Sequence, residues 1–162
     1  MRLALPLAAA AVAATTLGVA APRAQEAPAL GGPYYLIDIT RESLIFVAGG
    51  TVRKSGNIAS ITVIMGSSPG MLAQNGIARL DMGYQFDCRN ATFRTPLAAG
   101  YDANGGLLGV IDDEAEWEAV NTTAPSADIL DLACNGTVPE DSALEGNPDT
   151  IVAGYRDFIV DQ

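Results

Sequence analysis

The run Asp112-Asp113-Glu114-Ala115-Glu116-Trp117-Glu118 sets five acids around the single tryptophan of the chain. Clustered carboxylates supply the hard oxygen ligands that Ca²⁺ takes. They also make a docking strip for a basic partner, with Trp117 as its aromatic anchor. The plainer alternative is a solvated acidic turn with Trp117 folded into the core, because consecutive acids on an extended chain point to alternate sides and do not converge. Asp112, Asp113, Glu114, Glu116, Trp117 and Glu118 are therefore the candidate binding surface, and no cofactor or metal is expected there.

The other polar groups point less clearly to chemistry. Asp102-Ala103-Asn104-Gly105 spaces oxygen ligands but lacks a further acid at the right distance, and it reads as a hairpin turn. Asp81 and Asp87 are general acid and base by type. They sit on the presumed outer face of one strand, however, ~20 Å apart by its rise. Ser67, Ser68 and Ser126 are nucleophiles by type only, with no base in evidence. Tyr34, Tyr35, Tyr84 and Tyr101 offer a ligand face, or are half-buried strand residues. The chain has no histidine. That removes Ser-His-Asp and Cys-His catalysis in their usual forms and most zinc sites. The phosphate loop, the dinucleotide fingerprint and the EF-hand spacing are all missing. The residues thus point away from an enzyme. A carboxylate-dependent hydrolase is the trailing alternative, since the fold would have to bring two acids together and raise one by burial.

The N-terminus speaks to compartment. Arg2 precedes an apolar run from Leu3 to Ala21, and small residues follow with cleavage positions after Ala24 or Ala27. This is the build of a secretory signal peptide over residues 1–24. Pro6, Thr15, Thr16 and Gly18 make the run weakly apolar for a spanning helix. The expected mature protein is extracytoplasmic, periplasmic or secreted, with no membrane span after cleavage. Export in turn makes Cys88 and Cys134, the chain's two cysteines, legible. An oxidising compartment favours one disulfide over a metal site or a redox pair, with two buried free thiols as the alternative. The loop it closes is worth roughly 4 kcal/mol in the chain-entropy view. The net charge of −10 argues against nucleic acid and anionic membrane as partners.

Elements must position these residues. Residues 25–33 are rich in alanine, proline and glycine and read as a disordered lead-in. Strands are expected at Tyr34–Ile39, Leu44–Val47, Ile58–Met65, Ile77–Cys88, Ala91–Pro96 and Leu107–Ile111, with turn residues at Gly49–Gly50, Ser55–Asn57, Arg89–Asn90 and Asp102–Gly106. Ile58–Met65 is apolar on both sides, as a central strand would be. Leu80, Met82, Tyr84, Phe86 and Cys88 alternate with Asp81, Gln85 and Asp87, which puts the first set on the core side. Gly66–Gly76 reads as a loop. Ser126–Cys134 reads as a helix capped by Ser126 and stopped by Asn135–Gly136, with Ile129, Leu130 and Ala133 on its apolar face. Residues 136–147 read as a linker. Asn147-Pro148-Asp149 is a strong helix start, and Ile151, Val152, Tyr155, Phe158 and Ile159 form one stripe on a C-terminal helix over 148–160. The expected class is α+β, an antiparallel sheet of about five to six strands packed by a disulfide-tethered helix.

From Tyr34 to Cys134 the order of features resembles the bacterial surface-adhesin protein E family. YYLIDI near the start, a strand after SGN, YQFDCRNATFR with the first cysteine, YDANGG, the tryptophan among acids and PSADILDLAC with the second cysteine carry the resemblance. It spans residues 34–135, an adhesin E-like β-rich domain. It implies a sheet packed by a helix, bridged cysteines, an extracytoplasmic location and, for the family's founding member, adhesion to host matrix and serum proteins. The chain departs from the family's founding lipoprotein in having no lipid-attachment cysteine, and it adds the segment after Cys134. The expectation is a non-enzymatic binding module whose partner is a protein of the envelope or extracellular matrix. The alternative is a structural or inhibitory partner of another envelope protein, docking through the C-terminal helix.

Overall fold

The computed structural model describes residues 26–123 and 125–160; the expected signal peptide lies outside them. In chain order the elements are β1 (Tyr34–Ile39), β2 (Ser43–Ser55), β3 (Ile58–Ser67), α1 (Pro69–Asn75), β4 (Arg79–Asp87), β5 (Thr92–Tyr101), β6 (Leu107–Asp112), β7 (Glu118–Ala119), α2 (Pro125–Asn135), β8 (Ala143–Leu144) and α3 (Pro148–Val160). The strands make one 8-stranded sheet in the order β6-β5-β4-β3-β2-β1-β8, and β7 also pairs β5. Every pairing is antiparallel.

The sheet is covered on both faces. On one, Val47, Ala59, Ile61, Val63 and Phe86 pack against Ile129, Leu132 and Ala133 of α2. On the other, Leu44, Phe46, Ala48 and Ile64 pack against Val152 and Tyr155 of α3. β3 contributes to both clusters, as its two apolar sides require. Close approach of α3 depends on Gly66, where a Cβ would meet Val152 Cγ2 at 2.8 Å. The α2 face takes Leu132 as well as the expected Ile129 and Ala133, while Leu130 is only partly buried. Ser126 lies inside α2 instead of capping it, and its hydroxyl donates to the Asn121 carbonyl at 3.5 Å. On α3, Val152 and Tyr155 are buried and Phe158 is exposed, so the expected stripe narrows toward its end.

The other two expected helix signals operate. Gly136 adopts φ 77° and its N–H donates to the Leu132 carbonyl, closing α2. At α3 the Asn147 side chain accepts from Thr150 N and the Thr150 hydroxyl accepts from Asn147 N, both at 3.0 Å.

Elsewhere the chain is more ordered than its composition indicates. Gly66–Gly76 contains the helix α1: Ser68 accepts from Met71 N and Pro69 opens the first turn. Serine before proline is a cap and a start as much as a loop signal. Gly49–Gly50 makes no turn. β2 runs through it with a register shift against β3 between Ala48 and Arg53. The lead-in, expected to be disordered, lies on that irregular stretch. Gly50 N donates to the Gly31 carbonyl, and the Thr62 hydroxyl donates to the Ala29 carbonyl at 2.8 Å. A Cβ on Gly50 would sit 2.3 Å from the Gly32 carbonyl oxygen, so only glycine admits the strap. Within 136–147, read as a linker, β8 pairs β1 at Tyr34 and Tyr35. Such short backbone pairings explain why the sheet has eight strands and not five to six.

Candidate functional site

β6 and β7 lie end to end along the same side of β5, through Leu97–Tyr101 and Thr92–Phe93 respectively. The acidic run is the link between them. Asp113 N donates to the Pro96 carbonyl at 2.9 Å, Ala115 N donates to the Asp113 carbonyl, and Glu114 N donates to the Asp113 side chain at 2.8 Å. These bonds hold the link against β5 while Asp112, Asp113, Glu114, Glu116 and Glu118 stay exposed. Beside it an open hollow of about 780 Å³ is lined by Arg94, Pro96 and residues 112–116.

Trp117 is not in the core; it is 40% exposed. Its ring lies under Arg94, whose guanidinium carbon is 4.7 Å from the ring centroid. Arg94 Nε also donates to Gln85 Oε1 at 2.9 Å. The stack therefore joins β5, the β4 strand beside it and the acidic link. Among the described residues, the ion pairs within 4.0 Å both belong to Arg79, so none of the five acids of the strip is paired with a lysine or arginine there. Nor do they converge: among the described residues no group of three or more Asp, Glu, Cys or His is placed to hold a metal ion.

A second polar cluster was not legible in the sequence. Asp81 faces the α3 side of the sheet and is 0% exposed, where the alternation placed it outward. It accepts from Arg79 Nε at 2.9 Å and from Nη2 at 3.1 Å. Arg79 Nη1 donates to Asp149 in the first turn of α3, and the Arg79 guanidinium lies 4.0 Å from the centroid of the Tyr101 ring. Burial pushes the Asp81 carboxyl above its ordinary range and outweighs the Arg79 hydrogen bonds that pull it down. The usable signal was Arg79 and Asp81 two apart on one strand, which puts opposite charges on one face.

Next to this cluster a cleft of about 290 Å³ is lined by Asp102, Asn104, Asp149 and Arg156 among others. Asp102 is occupied by its turn, accepting from Asn104 N and Gly106 N at 2.8 Å each. Asp149 is occupied by Arg79. Asp81, the carboxyl raised by burial, does not line the cleft. Asp87 is remote from both; it caps the Arg89–Asn90 turn, accepting from Arg89 N at 3.0 Å and from Asn90 Nδ2 at 2.7 Å. Ser68 caps α1, and Ser67 is buried. Tyr34 packs edge-on against Phe46, and Tyr84 stacks on Phe93.

Cys88 and Cys134 are bonded, with their Cα atoms 5.7 Å apart. The bridge ties the end of α2 to the chain just beyond β4. Lys54 Nζ donates to the Cys134 carbonyl at 2.8 Å and so caps the same helix end. None of the described helices is long and apolar enough to cross a membrane. Compared with known proteins, the chain matches no family model, no curated protein and no solved structure.

Proposed function

We propose that this chain is a non-enzymatic binding module that works outside the cytoplasm and contacts a protein of the envelope or extracellular matrix through the Asp112–Glu118 strip. One observation carries the reading. Five exposed acids, none in an ion pair within 4.0 Å among the described residues, flank a half-open tryptophan whose ring is already held by Arg94. A side chain held in place loses little freedom on binding, and exposed acids draw a basic surface toward it. The disulfide fits an oxidising compartment. The resemblance to the surface-adhesin protein E family supports the same class of role.

Two observations weigh against the alternatives. A carboxylate-dependent hydrolase needs its raised acid within reach of substrate, and Asp81 is fully buried and does not line the neighbouring cleft. A partner docking through the stripe of α3 needs that stripe open, and Val152 and Tyr155 face the sheet.

The test begins with protease shaving of intact cells, followed by antibody detection of the protein. Binding of the purified full chain to immobilised matrix proteins is then measured beside a variant carrying Asp112→Asn, Asp113→Asn, Glu114→Gln, Glu116→Gln and Glu118→Gln. The expected result is binding that salt weakens and the variant loses, with its unfolding midpoint unchanged. Equal binding by the variant sinks the strip as the contact surface.

A further inference from the structure

The strip continues a sheet edge that no other strand among the described residues pairs. β6 ends the sheet on one side, and β8, at the other side, is two residues long. Along β6, Leu107 is 55% exposed, Leu108 56% and Ile111 66%. An edge strand carries a row of backbone N–H and C=O groups with no partner on its outer side. Proteins usually blunt such an edge with proline, lysine, a very short strand or a covering loop. Leu107–Asp112 holds no proline and no lysine, it is six residues long, and its register against β5 shifts only at its start, between Gly100 and Tyr101. Large apolar side chains on an open edge mark a place where another strand is taken.

Charge decides which strand. From Leu107 to Glu118 there is no basic residue, and the apolar part of the edge runs straight into the five acids. A second copy would bring the same acids and another net charge of −10 to the same edge. We infer that β6 receives an extended segment of a different polypeptide as an added antiparallel strand, Lys/Arg-rich in its N-terminal half and alternately apolar in its C-terminal half. Antiparallel addition matches every pairing in the sheet and sets the basic half beside Asp112 and Asp113. The inference rests on the binding-module reading and names the chemistry and direction of the partner.

A synthetic peptide of that design, basic residues first and then alternating valine and threonine, is titrated into the full chain. Its controls are the same residues in reverse order and a copy with N-methylated backbone amides. Amide exchange at Leu107–Asp112 and affinity are both read. The expected result is slowed exchange confined to this edge and binding at least about tenfold tighter than either control. Ile111→Glu separates strand addition from simple charge attraction. It adds an acid yet is expected to weaken the designed peptide about tenfold by removing an apolar contact. A second variant, Leu108→Thr, is expected to weaken it in the same direction while keeping a strand-compatible residue.

Equal binding of the reversed or N-methylated peptide overturns strand addition. Self-association through β6 without peptide overturns the choice of occupant. Matrix-protein binding that depends on the acids but leaves β6 exchange unchanged overturns this inference alone and leaves the binding-module reading intact.

Discussion

The two helices on opposite faces of the sheet are fastened by different physics. α2 is joined covalently at its C-terminal end, where Cys134 meets Cys88. α3 is joined electrostatically at its N-terminal end, where Asp149 meets Arg79, and again where Tyr155 Oη donates to the Thr40 carbonyl at 3.0 Å. The covalent tie acts mainly by restricting the unfolded chain. The electrostatic one acts in the folded state, where Asp81 is buried and relies on the same guanidinium. Arg79 thus serves two acids, one sealed in the sheet and one on the helix. Removing a disulfide takes away a constraint, whereas removing Arg79 leaves a buried carboxylate without its cation.

That asymmetry sets the order of effects. Arg79→Ala strands the Asp81 carboxylate in a dry site and is expected to cost about 3–5 kcal/mol in urea unfolding. A loss below about 1 kcal/mol would show that water reaches Asp81 and that the ion pair behaves as a surface pair. Replacing both Cys88 and Cys134 by serine comes next, at about 2–4 kcal/mol. Hydrogen exchange sharpens the contrast between the two. The serine variant is expected to lose protection first in α2, and Arg79→Ala first in α3. Equal loss in both helices from either change would mean that the faces unfold as one unit and that the two fastenings are not separable.

How far the sequence exposed these fastenings follows from how many residues each one needs. The disulfide was legible because the chain holds two cysteines, leaving one pairing. The cap at Asn147-Pro148 was legible because a cap is local in sequence. The Arg79 cluster was not, because it joins β4, β5 and α3, which are 70 residues apart at Arg79 and Asp149. The period-2 pattern of β4 separated its faces correctly, but alternation says nothing about whether a later helix covers the second face. Gly66, beside Val152, looks like loop punctuation in sequence, whereas in the fold it lets α3 approach. The lead-in and β8 attach largely through backbone groups, which every residue carries, so composition gave them no strand signal. In the candidate site, the acids and Trp117 were legible as types. Their exposure, and the stacking of Arg94, depend on β6 and β7 sharing one side of β5.

Two aspartates on the same face of β4 are shifted with opposite signs. Burial raises the Asp81 carboxyl above its ordinary value of 3.8 and outweighs the bonds from Arg79. A carboxyl raised on folding contributes stability that is fully present below that ordinary value and is lost as pH rises through the raised one. Asp87, next to the Cys88 bridge, behaves in reverse. Slight desolvation pushes it up, but hydrogen bonds from Asn90 and Arg89 prevail and hold it below 3.8. Its contribution is present above the ordinary value and is lost as pH falls through the lowered one. A carbon-detected NMR titration is expected to place Asp81 above and Asp87 below the usual aspartate range. The reverse order would mean that the Arg79 bonds outweigh burial, making the α3 fastening the acid-labile one.

The smallest effect tests the other arginine set on an aromatic ring. Arg79 over Tyr101 is buried and paired with acids, whereas Arg94 over Trp117 is at the surface and holds no ion pair within 4.0 Å among the described residues. Arg94→Ala is therefore expected to cost only about 0.5–1 kcal/mol, the range of an exposed cation–π contact. Its effect on Trp117 should be larger than its effect on stability, because Arg94 covers one face of the ring. Faster quenching of tryptophan fluorescence by acrylamide at an almost unchanged unfolding midpoint is the expected signature. The reading is direct because Trp117 is the chain's one tryptophan. A stability loss comparable to that of Arg79→Ala would mean that the stack is part of the core and that the strip is a structural edge. Unchanged quenching would mean that Arg94 does not hold the ring and that the binding surface has no pre-organised anchor.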